Sequence, residues 1–391
     1  MGLGGSQSRR RWQAWHVYGW LAVKVTGGRS SYSAIGYHLA MATERIVSGK
    51  THSPAEEAVN LSLRPTALDD YVGQPRLIEK LRITLQAVKE RNEPMEHVLL
   101  HGPPGLGKTT LAHVIANEMD AHVTVTSGPA LTKPGDLVGF LTKLQRGDVL
   151  FIDEVHRMPI SLEEYLYSAM EDFKIDVTVD QGMHAKTITL PLQPFTLIGA
   201  TTRAGLISGP MRSRFGLTHN LEFYPQDDLL KILHRSADLL GMNASNKPML
   251  AIASRSRGTP RIANRLLRRI RDFAQVKHND QLTPAIVDEA LELEGVDDLG
   301  LDELDRKYLR VIAETYEGGP VGVEAIAATL GEDAGTLEEV CEPYLLQIGF
   351  LARTRKGRQL TKAAAEHLGV SISLDEAGGT GGTGGAESDL L

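Results

Sequence analysis

Cysteine, aromatic residues and long apolar runs are all scarce in this chain. One residue in 391 is a cysteine, Cys341, and 5% are aromatic. A single cysteine excludes an intramolecular disulfide and is typical of proteins in a reducing compartment. No segment approaches the about 18 uninterrupted apolar residues that a membrane-spanning helix requires. We therefore expect a cytoplasmic protein with no membrane partner, and more than one domain because 391 residues exceed one core.

Acidic residues are missing from the start of the chain, since the first one is Glu44. The same segment contains all three tryptophans and a triple arginine at 9–11, features shared with transit and signal peptides. We interpret residues 1–40 as an upstream extension, disordered or not native, with Met41 as an alternative start. At the other end, "GGTGGTGG" predicts a disordered tail over residues 374–391 that cannot bury a core.

The stretch "VLLHGPPGLGKTTLA" is the strongest functional signal. An apolar run over Val98–His101 is typical of a buried strand, and the pattern Gly102-x-x-x-x-Gly107-Lys108-Thr109 and a helical stretch follow it. The glycines allow backbone N–H groups to point at phosphate oxygens, and the helix N-terminus adds partial positive charge. Lys108 would contribute a full charge, and the Thr109 hydroxyl would bind Mg²⁺. The pattern predicts a P-loop that binds ATP.

Two further strands are predicted to end in polar residues beside this loop. "DVLFIDEVH" ends with Asp153, which would hold Mg²⁺ through water, and Glu154, which would orient or deprotonate the attacking water. "FTLIGATT" ends in Thr202, whose hydroxyl would contact that water or the γ-phosphate. Solvated loop acids and an ordinary strand-end turn are the alternatives. Because open α/β sheets bind ligands at the carboxyl ends of their strands, the pattern favours an ATPase.

Two arginines, Arg212 and Arg214, follow a short helix predicted to start near Pro210 in "GPMRSRFG". Together with "GATTRAG", this segment resembles the AAA+ class, in which an arginine at the position of Arg214 reaches the γ-phosphate bound by a neighbouring subunit. Such a catalytic finger implies a ring of subunits. The alternative for Arg214 is a structural salt bridge, and Arg212 is interpreted as its supporting partner.

The segment "RGTPRIANRLLRRIRDF" has the periodicity of an amphipathic helix. Ile262, Leu266, Ile270 and Phe273 fall on one face. Arg261, at the amino end, resembles the second sensor arginine that reaches ATP from the lid domain of AAA+ proteins. The other arginines are predicted to form a solvated face: Arg265, Arg268, Arg269 and Arg271.

Seven segments together resemble the RuvB family, the bacterial motors that drive branch migration of Holliday junctions with the junction-binding protein RuvA. They are "LRPTALDDYVGQ", "HGPPGLGKTTLA", "FIDEVHRM", "SAMEDF", "LIGATTRAGLISGPMRSRFG", "LEFY" and "RGTPRIANRLLRR". The resemblance runs over residues 41–369. It implies an α/β fold: a large AAA+ P-loop domain with a parallel sheet (41–224), a small helical lid (225–297) and a winged-helix domain (298–373).

The resemblance also implies cofactors and partners. ATP and Mg²⁺ would be the cofactors, and the chain would form a homo-hexameric ring on duplex DNA. Holliday-junction DNA and a RuvA-type protein would be the partners, with a RuvC-type resolvase as a further candidate. The activity implied is ATP-driven branch migration in recombination and DNA repair.

Single residues can be assigned to the nucleotide in the same way. Leu63 and Arg64 would line the adenine side, and Tyr224 would lie where the chain enters the lid. "MEDF" contains the family's nucleotide-proximal tripeptide, which periodicity alone would make an ordinary helix end. The implied nucleotide contacts are Leu63, Arg64, Gly105, Gly107, Lys108, Thr109, Thr110, Glu171, Asp172, Phe173, Arg214, Tyr224 and Arg261.

The stretch "KIDVTVDQGMHAKTITLPL" at 174–192 alternates apolar and polar residues around a turn near 180–182. This pattern predicts a β-hairpin. The resemblance to the RuvB family implies that this hairpin docks RuvA. A plain insertion is the alternative.

The sequence after residue 298 predicts a winged helix. A helix over Val323–Leu330 stops at Gly331, a second helix starts at Thr336, and "GFLARTRKGRQLT" indicates two short strands around a basic turn. The basic residues of this segment are Arg353, Arg355, Lys356, Arg358 and Lys362. In a chain with net charge −7, a local patch without acids favours phosphate contacts, and a solvated charged loop is the alternative. By resemblance Arg353 and Arg358 bind DNA, whereas the basic residue common in the family near Ala334 is missing.

Three other classes of protein share parts of this pattern. "DEVH" also fits superfamily 2 helicases, but nothing after Phe223 provides the second RecA-like domain that they need. A clamp-loader subunit shares the P-loop and the arginine but does not end in a basic winged helix. An ATP-gated DNA-binding regulator would keep the same domains without translocation.

Overall fold

In a computed structural model of the chain, the described residues are residue 47 and residues 62–179 and 186–370. They form a parallel sheet flanked by helices, a helical lid and a winged helix. The extension predicted at 1–40 and the tail predicted at 374–391 lie outside the described residues.

A five-stranded parallel sheet positions the predicted site. The strands of the described residues are β1 (Val98–His101), β2 (Val123–Ser127), β3 (Val149–Asp153), β4 (Lys174–Val179), β5 (Lys186–Pro191), β6 (Thr196–Thr201), β7 (Leu217–Asn220), β8 (Leu351–Thr354) and β9 (Gly357–Leu360). The parallel sheet has the order β2-β3-β6-β1-β7. Its central strands β3 and β6 are apolar and buried, since helices cover both faces. The three strands predicted beside the P-loop are confirmed, two of them with slightly shorter bounds.

Helices cover the sheet and build the other two domains. In chain order they are α1 (Pro75–Arg91), α2 (Lys108–Glu118), α3 (Pro134–Leu141), α4 (Ile160–Asp172), α5 (Gly209–Ser213), α6 (Gln226–Leu239), α7 (Asn246–Ser254), α8 (Pro260–Lys277), α9 (Pro284–Leu293), α10 (Glu303–Arg310), α11 (Val323–Leu330), α12 (Ala334–Thr336), α13 (Glu342–Gln347) and α14 (Lys362–Leu368). Two π-helical turns, Val311–Thr315 and Leu337–Cys341, continue α10 and α12. Among these described helices, none combines the length and the apolar composition that crossing a membrane requires.

The hydrophobic core of the described residues has three parts. One face of the sheet packs with α1, α2 and the lid helices into a single cluster that contains Leu100, Ile115 and Leu266. The other face packs against α3 and α4 around Leu166. The winged helix has a cluster of its own around Tyr308. The lid therefore shares its core with the sheet, whereas the winged helix is packed as a separate unit.

Helix α8 shows where the periodicity was informative and where it was not. Ile262, Leu266 and Ile270 are buried as predicted, and Pro260 occupies the first turn. The prediction that Arg265 lies on a solvated face is wrong, because this residue is only 5% exposed. Helices α6, α7 and α9 all pack against α8, which widens its buried face beyond a single stripe. The long aliphatic stem of arginine tolerates such a position.

Strands β4 and β5 pair antiparallel, with Lys174 opposite Pro191 at one end. This confirms the predicted hairpin, whose predicted turn near 180–182 lies outside the described residues. Ile175 is buried against the domain, whereas Ile188 is 41% exposed. The hairpin therefore offers an apolar side chain to solvent.

The winged helix combines α10 to α14 with the antiparallel hairpin β8–β9. Helix α11 ends at Gly331 with φ 70°, as predicted. The next helix begins at Ala334, slightly before the predicted Thr336. The reason is a cap: the Asp333 carboxylate accepts a hydrogen bond from the Thr336 N–H at 2.8 Å.

Candidate nucleotide site and DNA interface

The loop between β1 and α2 has the backbone shape that a phosphate cradle requires. Gly102 and Gly107 have φ values of 139° and 100°, in the region that favours glycine. A Cβ on Gly107 would lie 2.8 Å from the Tyr71 hydroxyl, so the loop is also closely packed. Helix α2 begins at Lys108, and its first N–H groups therefore face the cleft above the loop.

Lys108 is buried at the base of this cleft. Its Nζ donates hydrogen bonds to the carbonyls of Gly102 and Pro103, both at 2.8 Å. Burial lowers the pKa of Lys108 to about 8; Asp153 opposes this shift and Arg261 adds to it. A triphosphate beside Nζ would favour the charged amine and raise this pKa again.

Strand β3 delivers Asp153 and Glu154 to the cleft, and both residues line it. Glu154 has φ 47°, a left-handed conformation that costs about 1 kcal/mol or more for a residue with a Cβ. Its Oε2 accepts a hydrogen bond from Nη1 of Arg157 at 2.8 Å. Backbone strain of this kind persists only where the surrounding structure maintains it, as at many functional sites.

Thr202 follows the last residue of β6 and lines the cleft. Its Oγ1 is buried and has no hydrogen-bond partner within the part of the chain that the structure describes. The neighbouring Thr201 Oγ1 has, by contrast, two partners: it accepts from the Arg203 N–H at 3.0 Å and lies 2.9 Å from Nδ1 of His156. Since a buried hydroxyl without a partner is costly, Thr202 is suited to bind a ligand.

The lid closes the cleft from the opposite side. The backbone N–H of Arg261 donates to the Gly105 carbonyl at 3.4 Å. Tyr224 donates to the Leu106 carbonyl at 3.2 Å and its hydroxyl lies 3.1 Å from that of Tyr71. Burial raises the pKa of Tyr71 to about 12, and it raises that of Tyr224 as well, so both phenols stay protonated.

The cleft has a volume of about 740 Å³, which is in the usual range for a small-molecule site. The predicted residues that line it are Leu63, Arg64, Gly105, Gly107, Lys108, Thr109, Thr110, Asp153, Glu154, Thr202, Tyr224 and Arg261. Three residues that were not predicted from the sequence line it as well: Tyr71, Arg235 and Asn264. No local motif marks these three residues, because a loop and two separate lid helices bring them to the cleft.

The donors in the cleft fit ATP with Mg²⁺. Thr109 and Asp153 supply one hydroxyl and one carboxylate, and no group of three or more His, Cys, Asp or Glu side chains in the described residues could hold a metal. Mg²⁺ is typically bound by one or two carboxylates together with phosphate oxygens and water. Lys108 and Arg261 add the positive charge that a triphosphate needs.

Arg214 lies outside the cleft, directly after α5. Its Nη2 donates to Glu171 at 2.9 Å, and its guanidinium lies 4.3 Å from the ring centroid of Tyr167. The salt bridge considered as an alternative is thus present. Arg212 does not support Arg214 as expected: its side chain donates to the Ala204 carbonyl at 2.5 Å and braces the loop that follows β6.

The tripeptide Glu171, Asp172 and Phe173 also lies away from the cleft of its own chain. Glu171 contacts Arg214, Asp172 pairs with Lys174 at 2.9 Å, and the partly buried Phe173 packs against the core. The tripeptide therefore shares a surface with Arg214. Its contact with nucleotide remains a prediction.

Arg353 and Arg358 face each other across the β8–β9 hairpin. Both bond to the buried Glu342, with Nε distances of 2.7 Å and 3.0 Å, and Arg358 Nη2 also donates to Glu338 at 2.7 Å. The side chain of Arg353 is 47% exposed and that of Arg358 16%. The segment has no acid of its own, but in three dimensions the helical stretch before the hairpin contributes two glutamates.

The rest of the basic patch is open to solvent. Arg355 and Lys356 at the tip and Lys362 after β9 are all exposed. The hairpin thus keeps cations available for phosphate in addition to the two paired arginines.

Three family models match consecutive parts of the chain. The models for the Holliday junction DNA helicase RuvB P-loop domain, the RuvB AAA lid domain and the RuvB C-terminal winged-helix domain match residues 63–221, 224–297 and 298–369. The chain belongs to the RuvB family. This confirms the fold class inferred from the sequence, and it excludes a superfamily 2 helicase and a clamp-loader subunit.

This chain aligns with RuvB proteins over nearly the full length of those proteins. The Holliday junction branch migration complex subunit RuvB of Pediococcus pentosaceus is 55% identical over 330 residues, which are 84% of this chain and 98% of that protein. The subunit of the same name from Kosmotoga olearia is 55% identical over 316 residues, covering 81% and 92%. The solved structure of the Thermotoga maritima RuvB Holliday junction branch migration motor matches with a TM-score of 0.73 and 51% identity, covering 80% of this chain and 100% of that one.

Proposed function

We propose that this chain is the ATP-hydrolysing motor subunit of a Holliday junction branch migration complex in the cytoplasm, acting in recombination and DNA repair. One observation carries the proposal. Three strand ends and the lid build one nucleotide cleft, whereas Arg214, the expected catalytic arginine, lies outside it. Such a cleft needs a second copy of the chain to complete it, and a winged helix with exposed cations provides a contact for DNA.

Within the cleft, each residue has a distinct task in hydrolysis. Lys108 and the N–H groups of α2 bind the β- and γ-phosphates, and Thr202 Oγ1 contacts the γ-phosphate or the water. Glu154 orients that water and accepts its proton, since Arg157 holds only one carboxylate oxygen, Oε2. Thr109, and Asp153 through water, would hold Mg²⁺, which would supply positive charge to the phosphates.

Arg214 acts on the nucleotide of the neighbouring protomer. Its surface includes the tripeptide 171–173, so both contacts implied by the resemblance lie on the same face of the chain. To reach a neighbour's phosphate, Arg214 exchanges the carboxylate of Glu171, which is 57% exposed, for a phosphate oxygen. A heterologous contact of this type closes into a ring, which we propose is a hexamer.

The winged helix holds duplex DNA through its phosphates. Arg353 and Arg358 contact the backbone with the exposed Arg355 and Lys356, which gives affinity without sequence preference. The missing basic residue near Ala334 leaves this interface one contact smaller than the family pattern. A motor that moves along DNA benefits from contacts that do not select a sequence.

The β4–β5 hairpin is the proposed docking site for a RuvA-type protein. The exposed Ile188 on this hairpin supports an apolar contact with a partner. A RuvC-type resolvase is a further proposed partner of the assembled complex.

A reconstituted reaction tests the function. The purified chain is mixed with a four-way DNA junction, a RuvA-type protein, Mg²⁺ and ATP, and the position of the crossover is followed over time. We expect the crossover to move. Glu154→Gln should still bind ATP but should not move it, because the attacking water loses its base.

The matched control is Glu164→Gln, at an exposed glutamate on α4 away from the cleft, which should behave as wild type. Junction movement by Glu154→Gln would contradict the motor function and favour an ATP-gated DNA-binding regulator.

A further inference from the structure

Arg203, the residue directly after Thr202, contacts the winged helix across the molecule. Its Nη2 lies 3.4 Å from Glu338 Oε2 and its Nε lies 3.2 Å from Glu339 Oε1. All three side chains are between 21% and 35% exposed, so this contact is polar and open to solvent. It is thus a direct ionic contact between the sheet domain and the winged helix.

Glu338 is shared between this contact and the DNA hairpin. Its Oε1 accepts a hydrogen bond from Arg358 at 2.7 Å, while Oε2 faces Arg203. Arg358 in turn shares Glu342 with Arg353. A continuous row of alternating charges therefore links the expected DNA contacts to the residue beside the nucleotide cleft.

The backbone at the other end of this row belongs to the cleft. The Arg203 N–H donates to Thr201 Oγ1 at 3.0 Å, and Thr202 lies between these two residues. The buried hydroxyl of Thr202 has no hydrogen-bond partner among the described residues. A cavity of about 420 Å³ next to it is bordered by Thr202, Arg203, Glu338 and Arg353. This cavity leaves room for the Arg203 side chain and its loop to shift.

We propose that Glu338 and Glu339 are positioning residues that couple DNA binding by the hairpin to the placement of Thr202 in the nucleotide cleft, a coupling that rests on the proposed function. When a DNA phosphate takes Arg358, Glu338 keeps Arg203 as its cationic partner. The attraction between Glu338 and Arg203 then strengthens, since a competing positive charge has left. Because Arg203 directly follows Thr202, this stronger attraction shifts the backbone that positions the Thr202 hydroxyl.

Such a coupling is reciprocal between the two sites. DNA should change the rate at which ATP is hydrolysed, and a nucleotide in contact with Thr202 should change the affinity for DNA. An ion pair that only stabilised the domain arrangement would change neither the effect of DNA on the rate of ATP hydrolysis nor the effect of nucleotide on the affinity for DNA. The two readouts together therefore separate coupling from a structural role.

The test uses Arg203→Ala, which removes both ion pairs, and Glu339→Gln, which removes the Arg203–Glu339 pair and leaves Glu338 as the remaining partner of Arg203. Neither variant changes Arg353, Arg358 or Thr202. ATP hydrolysis of the full chain is measured with and without duplex DNA. We expect the ratio of the two rates to fall roughly two- to five-fold, the factor that corresponds to a partly exposed ion pair. Arg203→Lys, which keeps the charge, should retain most of the ratio.

Glu332→Gln is the matched control, because Glu332 is an exposed glutamate of the same domain. It should keep the wild-type ratio. The second readout is the affinity for duplex DNA with and without a non-hydrolysable ATP analogue, which should depend less on the analogue in Glu339→Gln and Arg203→Ala.

A charge exchange gives the sharpest outcome. Arg203→Glu and Glu339→Arg should each reduce the DNA stimulation, and the double variant should recover part of it. Unchanged stimulation in Glu339→Gln and Arg203→Ala would overturn the coupling while leaving the proposed function intact. Wild-type hydrolysis that ignores DNA would overturn the proposed function itself.

Discussion

The nucleotide cleft and the β8–β9 hairpin both place cations where phosphate is expected to bind, but they hold these cations differently. In the cleft, Lys108 is 7% exposed and its Nζ donates to the backbone carbonyls of Gly102 and Pro103. On the hairpin, the side chain of Arg353 is 47% exposed and its hydrogen-bond partner is the carboxylate of Glu342.

This difference predicts different kinds of phosphate binding. A buried amine held by carbonyls gains strongly from an arriving phosphate, because the phosphate compensates for its lost hydration. A half-exposed arginine with a carboxylate partner gains little, since phosphate competes with both the carboxylate and water. The cleft is therefore suited to tight binding of one nucleotide, and the hairpin to contacts that exchange as DNA moves.

The largest effects should come from removing either the lysine inside the cleft or the arginine that completes it from outside. Lys108→Ala and Arg214→Ala should each lower ATP hydrolysis by about a thousand-fold or more. A mixture of the two variants should recover part of the activity, because an intact Arg214 then meets an intact Lys108 at some subunit boundaries. Steady-state hydrolysis of the mixture, compared with each variant alone, measures this.

The control mixture pairs Arg214→Ala with the double variant Lys108→Ala/Arg214→Ala, which offers no intact boundary and should stay inactive. Failure of the first mixture to recover activity would show that Arg214 acts within its own chain, or not on nucleotide at all.

The hairpin should respond most to its buried carboxylate. Glu342 is fully buried and accepts hydrogen bonds from Tyr308, Arg353 and Arg358. Glu342→Ala should lower the free energy of unfolding of the winged helix by about 3 kcal/mol, since it leaves charges and a phenol without their partner. Urea unfolding of the full chain measures this, with Glu332→Ala as a surface control expected to change it by less than about 0.5 kcal/mol.

Glu342→Ala also tests whether the carboxylate weakens DNA binding. The folded variant should bind duplex DNA at least as tightly as wild type, because Arg353 and Arg358 lose an internal competitor. Weaker binding by the folded variant would mean that Glu342 orients the arginines for DNA and does not compete with phosphate for them.

Nucleotide binding in the cleft and DNA binding by the hairpin should differ in proton uptake, because the cleft uses a lysine and the hairpin uses arginines. Burial lowers the pKa of Lys108 to about 8, and bound triphosphate raises it, so nucleotide binding above pH 8 should take up a proton. Affinity should therefore be constant below about pH 7 and fall as the pH rises through 8 and beyond. Calorimetry in buffers of different ionisation enthalpy measures the uptake.

DNA binding by the hairpin arginines should show no such uptake over the same pH range, because guanidinium groups stay charged. Nucleotide binding without proton uptake near pH 8.5 would contradict the buried position of the Lys108 charge.

The smallest effect should come from a single hairpin arginine. Arg358→Ala should weaken duplex binding to a similar extent for different sequences and should lower the slope of log affinity against log salt by about 1. Filter binding at several salt concentrations measures this. Lys277→Ala, at an exposed lysine that ends α8, should leave affinity and slope unchanged; a sequence-dependent loss in Arg358→Ala would indicate base contacts instead.

The cleft residues Lys108, Asp153 and Thr202 were predictable because each lies at the end of a buried strand or after it. Apolar runs identify such strands, and the carboxyl ends of parallel strands share one edge of the sheet. Tyr71 and Arg235 were not predictable, since no local pattern distinguishes a cleft residue on a loop or lid helix from a surface residue.

Charge pairing was the least predictable property of the chain. Arg358 lies in a segment without acids, yet its partners Glu338 and Glu342 are 20 and 16 residues away in sequence. Arg203 and Glu338 are separated by 135 residues. Periodicity describes the neighbours of a residue along one element, and it carries no information on which other element packs against it.

By itself, the sequence determined the phosphate loop and the carboxylates beside it, because these depend on local backbone conformation and on strand periodicity. Its resemblance to a known family implied the order of the three domains. The tertiary structure alone decided that Arg214 and the tripeptide 171–173 lie outside the cleft of their own chain, and that acids meet the hairpin arginines. Electrostatic partners are set by distance in space, which only the packing of separate elements establishes.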